Sequence, residues 1–263
     1  MPGDDISVLN DVNRPYKSKY ARSRCRHSNS FNVNLGYDFI TDMLVLEFTI
    51  DDKIIDVHRN DNPWLGRAAQ SLAEALRLVA SKKLDIEFTE LVTGYRLRTG
   101  AEASYIDIYL YDSLSSGAGY AVSVADVIAE ILSDMKELLS SCNCGAACSK
   151  CLKHYRNQYV HGILDRFAAL QLLEWGIKGI KALPIKTETQ INMIMPLTNI
   201  LKQSGCKITV DDEIVVNGPR KTKKVAIYPA MWVEPCATNT IFVSDAYIKY
   251  AKPYAVQKIL DNI

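Results

Sequence analysis

No apolar run in these 263 residues approaches the roughly eighteen that a membrane-spanning helix needs. Even Met43-Leu-Val-Leu-Glu-Phe-Thr-Ile50 is interrupted by Glu47. A charge excess is also missing. The 31 basic and 30 acidic residues leave a formal net charge of +1, so the chain is no polycation. Any nucleic-acid contact must then come from local segregation of charge. The opening Met1-Pro-Gly-Asp-Asp-Ile6 places acid where a secretory signal peptide is basic. A disulfide framework is lacking too: the cysteine total is odd, at seven, with four inside Cys142–Cys151 and Cys25, Cys206 and Cys236 scattered. These absences lead us to expect a reducing cytoplasm and a metal site. There is no G-x-x-x-x-G-K-[ST], so the chain is not expected to hydrolyse nucleoside triphosphates by itself. His154-Tyr-Arg156 is not the histidine–lysine pair of a phospholipase-D-type nuclease. Asp211-Asp-Glu213 lacks the following lysine of a metal-nuclease set and reads as a solvated turn. No residue is assigned a catalytic role.

What is present, 48% hydrophobic and 23% charged, suffices for a packed core. Three segments are expected. Residues 1–30 form a polar arm or linker, in which Arg14, Lys17, Lys19, Arg22, Arg24 and Arg26 run without an acid, with Tyr16 and Tyr20 among them. Such an arm either lies along phosphates or is a solvated linker. Residues 31–180 carry mixed strands and helices, and residues 181–263 a small α+β unit.

Within the middle segment, Met43–Ile50 reads as a largely buried strand, followed by a turn at Asp51-Asp52. Leu65, Ala68, Leu72, Leu76 and Val79 recur at helical spacing behind Pro63. Ala103–Tyr111 is a strand rich in β-branched and aromatic residues. Its exit turn, Ser115-Ser-Gly-Ala-Gly119, has two readings: a phosphate cradle made of backbone amides, or close strand-to-helix packing. One long amphipathic helix is predicted over residues 121–139, and another through Leu164–Leu173 ending near Gly176. In the last segment a helix spans Thr187–Gln203 despite Pro196, which is expected to kink it. Lys207–Val210 and Glu213–Val216 make a hairpin, Lys224–Tyr228 and Thr240–Val243 are strands, and Tyr254–Leu260 is a closing helix. The overall class is α+β.

The strongest chemical signal is Cys142-Asn-Cys144-Gly-Ala-Ala-Cys148-Ser-Lys-Cys151. C-x-C-x3-C-x2-C puts four sulfurs in one bend, and tetrahedral zinc takes four thiolates in closed, structural sites. Gly145 and the alanines let amides turn toward sulfur. Lys150, Lys153 and Arg156 surround a site whose thiolates outweigh the metal charge, and a helix beginning near Cys151 would aim its positive end there. Two disulfides, an iron–sulfur cluster and ligation by His154 are the weaker readings.

Taken together, residues 36–176 resemble the zinc-binding domain at the C-terminus of mitomycin-repair-type superfamily 2 helicases, a family also found in a DISARM-type phage-defence subunit. The resemblance rests on Gly36-Tyr-Asp-Phe-Ile-Thr-Asp42 before a strand and on Ser71-Leu-Ala-Glu-Ala-Leu76 with Leu84-Asp-Ile86 and Glu90-Leu91. It continues through Tyr109-Leu-Tyr-Asp112 and Gly117-Ala-Gly-Tyr120, then the four cysteines, Cys151-Leu152, Tyr155, Asn157 and Leu164-Asp-Arg166. Ser116 departs from the family's glycine at that place. Asp165 and Arg166, adjacent on a helix, are expected to cap or pair with neighbouring elements, and Asn157 to bond backbone.

The resemblance implies a zinc-dependent accessory module of a DNA-processing helicase, in repair or anti-phage defence, with the superfamily 2 motor in cis or in trans. DNA, single-stranded by preference, is the expected partner. Lys150, Lys153, Arg156, Arg22, Arg24, Arg26 and a strip containing Arg220, Lys221, Lys223 and Lys224 are the candidates for phosphate contact. The alternatives are an adaptor that docks a helicase or nuclease without touching DNA, and a nuclease with its site in residues 181–263.

Overall fold

The computed structural model describes residues 5–7, 32–34, 38–57, 62–100 and 103–263. In the unit formed by residues 1–40, strands β1 (Asp5–Ser7) and β2 (Asn32–Asn34) pair antiparallel, with Ile6 opposite Val33. The basic arm from Arg14 to Arg26, including Arg22 and Arg24, lies outside the described residues.

A second unit runs from Thr41 to the last residue. Its first sheet has β3 (Met43–Ile50) and β4 (Leu91–Thr99) on either side of β5 (Ser104–Asp112), all antiparallel. Period-2 alternation turns Ile106, Ile108 and Leu110 of β5 to the core. The expectation that Met43–Ile50 is largely buried is corrected. It is an edge strand in which only Phe48 and Ile50 are buried, while Met43, Val45, Glu47 and Thr49 face out.

Strand β4 escapes the sequence pattern because Gly94, Arg96 and Arg98 dilute its hydrophobicity. Each has a cross-strand reason. A Cβ on Gly94 would fall 2.5 Å from the Tyr109 hydroxyl, so only glycine lets that ring lie there. Arg96 and Arg98 converge on buried Asp107, at 2.8 and 2.7 Å.

Helix α1 (Pro63–Lys83) crosses the inner face of this sheet. Asn62 caps it by accepting from the Trp64 N–H at 3.0 Å, and Pro63 supplies a first-turn φ. Ala68, Ala69, Ala73, Ala75 and Ala80 are fully buried, and their small size allows close approach.

The predicted single helix over residues 121–139 is instead two, α2 (Tyr120–Asp126) and α3 (Ile128–Ser141). Val127 breaks it at φ −115°, ψ 25°, its N–H turning back to the Val124 carbonyl. Helix α4 (Arg166–Lys178) continues past Gly176 and stops at Gly179, whose φ of 64° suits a left-handed cap. Gly176 is internal for a packing reason: a Cβ there would meet the Phe48 ring at 2.1 Å.

Helix α5 (Thr187–Gln203) runs on through Pro196. Strands β6 (Lys207–Val210), β7 (Ile214–Asn217), β8 (Thr222–Tyr228) and β9 (Thr240–Ser244) form a sheet in that order, with β8 and β9 parallel. Helix α6 (Asp245–Tyr250), absent from the sequence reading, precedes α7 (Lys252–Leu260). Ile194, Leu197, Val216, Ile227, Val243 and Ile259 pack a second apolar cluster among these elements. A backbone seam joins this part to the first. Ile55 bridges Trp232, Asp56 N–H donates to the Met231 carbonyl at 3.2 Å and Val233 N–H to that of Ile54 at 3.0 Å. The Asn62 amide reaches the Ala230 carbonyl at 2.8 Å. The mixture of helices and largely antiparallel strands is α+β.

Candidate metal centre

Helix α3 ends at Ser141 and the chain turns extended at Cys142, φ −81° and ψ 138°. From there the backbone folds back on itself, with Cys151 N–H and Lys153 N–H both donating to the Cys148 carbonyl, at 3.1 and 3.0 Å. The turn gathers the Cys142, Cys144, Cys148 and Cys151 sulfurs within 4.8 Å of one another. Cys142 to Cys148 and Cys144 to Cys151 are 3.6 Å apart, and Cys148 to Cys151 is 3.8 Å. Four sulfurs at about 2.3 Å from a tetrahedral zinc would be about 3.8 Å from each other. A disulfide needs about 2.05 Å, so these are free thiols at the edge length of a metal tetrahedron. The Cys148 N–H points at the Cys151 sulfur across 3.2 Å, as the flexible Gly145-Ala-Ala stretch led us to expect.

Protonation separates Cys151 from Cys142. Burial pushes the Cys151 thiol up to about 12, whereas the Cys144 backbone amide, with neighbouring thiols, draws Cys142 down to about 7. A thiol must lose its proton to bind a cation, so metal capture here competes with protons, most strongly at Cys151.

No helix begins near Cys151. The Cys151-Leu152 turn leads into a 3₁₀ stretch, Tyr155–Val160, kinked at Asn157, and the next α-helix starts only at Arg166. Positive charge reaches the loop instead through the Arg166 side chain, buried, which donates to the Leu139 carbonyl at 2.9 Å and the Cys144 carbonyl at 3.1 Å. The Arg166 N–H adds a bond to the Ala146 carbonyl at 2.8 Å. Asp165 caps α4 through the Phe167 and Ala168 N–H groups and takes the Lys249 ammonium at 3.1 Å and the Tyr250 hydroxyl. Asp165 therefore caps and pairs, and Arg166 caps the neighbouring carbonyls, as expected.

Asn157 is a backbone-bonding residue of the knuckle. Its oxygen accepts the His154 N–H at 2.7 Å, and its amide donates to the Leu152 carbonyl at 3.0 Å. His154 is not aimed at the sulfurs: its Nδ1 accepts the Arg156 N–H and its ring lies 4.3 Å from that of Phe88. Sequence reasoning missed Glu74, a fully buried carboxylate that the Asn157 amide also reaches. An acid between Leu72 and Leu76, on the apolar stripe, was the available signal.

The glycine turn does not cradle an outside anion. The buried Asp112 carboxylate already accepts the Tyr120 N–H at 3.1 Å, the Ala121 N–H at 2.8 Å and the Ala118 N–H at 2.5 Å. Ser116 sits at a φ of 77°, and Gly117 suits its φ of 75° and the Asp42 carboxylate that a Cβ there would crowd. Close packing, the alternative reading, explains this turn.

Of the basic candidates, Lys150 sits beside Cys148 in the wall of the cysteine site, Lys153 is half-buried and Arg156 is exposed. None of the three forms an ion pair with a described residue. Lys223 and Lys224, adjacent on β8, project to opposite faces, and Lys224 pairs with Glu213 at 2.7 Å. Asp211 and Asp212 are exposed in the β6–β7 turn. Among the described residues, the four cysteines are the group of metal-ligating side chains that converges, and no carboxylate set does.

Residues 72–152 match the family of the MrfA Zn-binding domain, ending one residue past the fourth cysteine. Druantia protein DruE of Escherichia coli (strain UMEA 4076-1) is 32% identical over a 224-residue alignment that covers 81% of this chain and 12% of that protein. The chain thus spans about an eighth of the length of the curated relative it matches. Two crystal structures are also similar. One is DUF1998 helicase MrfA bound to DNA and AMPPNP, at 18% identity and TM-score 0.38, covering 56% of this chain and 17% of that one. The other is DUF1998 helicase MrfA bound to DNA, at 13% identity and TM-score 0.36, covering 55% and 26%.

Proposed function

We propose, from the premise that residues 72–152 form a zinc-binding domain of the MrfA type, that this chain is a structural zinc module of a DNA-processing superfamily 2 helicase in phage defence. The motor is supplied by other residues of a longer polypeptide or by a second chain. The module acts in the cytoplasm, where thiols stay reduced, and supports nucleic-acid binding or motor assembly. Cys142, Cys144, Cys148 and Cys151 hold the zinc, which contributes folding energy and no reactive position, since four thiolates close its shell. The observation that carries this reading is the sulfur spacing, 3.6 to 3.8 Å between three of the pairs. Lys150, Lys153 and Arg156 provide the phosphate contacts.

Two measurements test the proposal. Elemental analysis of reduced protein should find one zinc per chain, lost with the melting transition in Cys148→Ser. A labelled single-stranded oligodeoxynucleotide should bind with an affinity that falls as salt rises. Absence of zinc removes the module reading, and absence of binding leaves a protein adaptor.

A further inference from the structure

We propose that Tyr155 and Tyr159 form a stacking platform for unpaired nucleobases, with Arg156 and Lys153 holding the flanking phosphates. This deepens the nucleic-acid role proposed above and rests on it.

The argument begins with exposure. Tyr155 and Tyr159 are 75% and 76% exposed, although both belong to a short 3₁₀ stretch whose other side is nailed into the protein. Asn157 and Val160, between and beside them, are buried. His154 and Asn157 close a reciprocal capping box around the first turn. The backbone is therefore held in place while both rings stay largely in solvent, the Tyr159 side chain also reaching Arg77. An aromatic ring left out of the core brings folding little, but every base has a π-face to lay on it.

Charge selects the occupant. From Leu138 to Leu164 the sequence has no Asp or Glu, and it has Lys150, Lys153 and Arg156. Lys150 lies in the wall of the cysteine site. Arg156 is exposed and outside that wall, with its guanidinium carbon 5.9 Å from the Tyr155 ring centre. A cation beside an exposed ring, with no acid nearby in sequence, matches the alternating phosphate and base of a single strand better than a neutral protein surface. In a duplex the base faces are covered by their neighbours, so the surface suits unpaired nucleotides.

The test uses the full zinc-loaded chain and three fluorescent probes: dT15, an abasic deoxyribose-phosphate strand of the same length, and a duplex. The unaltered protein should bind dT15 at least tenfold more tightly than the abasic strand. The pair Tyr155→Ala and Tyr159→Ala should cost at least tenfold on dT15 and less than about twofold on the abasic strand, with zinc content unchanged. Tyr155→Phe with Tyr159→Phe should restore dT15 binding. Arg156→Ala should weaken both single strands and lower the salt slope by about one. Equal affinity of the unaltered protein for dT15 and the abasic strand overturns the platform while leaving phosphate contact standing. So does a double alanine variant that binds dT15 normally. Failure to bind any probe overturns the nucleic-acid reading itself and the platform with it.

Discussion

The side-chain amide of Asn157 donates to Glu74 across 2.9 Å, so a fully buried carboxylate of α1 rests on the metal knuckle. Burial raises the Glu74 acid above its ordinary value, against the opposing hydrogen bond from Asn157 and the nearby Arg77 charge. The native state thus holds this proton to a higher pH than the unfolded chain, which releases it at about pH 4.3. That contribution is fully present below the unfolded value and is lost as pH rises through the folded one. Glu74→Gln, with Gln70 turning its amide to match, should remove this loss. Its melting temperature relative to the parent should rise between pH 5 and pH 8, and a constant difference across that range would refute the point.

Asp107 has the opposite sign. The Arg98 guanidinium, helped by Arg96, holds its carboxyl below the usual range. The stability this confers is present above about pH 3.9 and disappears as pH falls through the folded value. Asp107→Asn should weaken the protein at pH 7 by ~1–2 kcal/mol, modest because both arginines reach solvent. Its acid denaturation curve should be correspondingly flatter, which urea titrations at pH 3 to 7 would read.

Arg166→Lys tests the brace behind the metal loop. A lysine cannot fork to both the Leu139 and Cys144 carbonyls, so a buried acceptor is left unmatched. We expect a loss of ~1–3 kcal/mol and faster zinc transfer to a chelating dye. Unchanged transfer with reduced stability would mean that the brace serves α3 and α4 alone.

Asp112→Ala should cost ~2–4 kcal/mol, because the N–H groups of Ala118, Tyr120 and Ala121 lose their shared acceptor at once. Added phosphate should not rescue the parent or raise its melting point at this turn. A phosphate-dependent rise in the parent's melting point, enlarged in Asp112→Ala where the amides are free, would revive the cradle.

The cysteine site was legible because metal geometry demands four thiols in one bend, and C-x-C-x3-C-x2-C spells this directly. The helix positions of α1 and α5 followed from 3.6-residue periodicity, which survives even at Pro196. Strand β4 was not legible, since its glycine and arginines answer to Tyr109 and Asp107 on a neighbouring strand, contacts that no local pattern encodes. The break at Val127 hid inside a continuous apolar stripe. Glu74 stood in plain view as an acid on a buried face, but its partner lies 83 residues away in the chain.

The ladder between Ile54–Asp56 and Met231–Val233 carries a practical lesson. A polypeptide cut after residue 180 would strip the cover from Ile55, orphan the Asn62 amide and leave Asp165 without Lys249 and Tyr250. The smallest piece worth expressing therefore keeps its closing helices, even though all four sulfurs of the metal site lie far upstream of them.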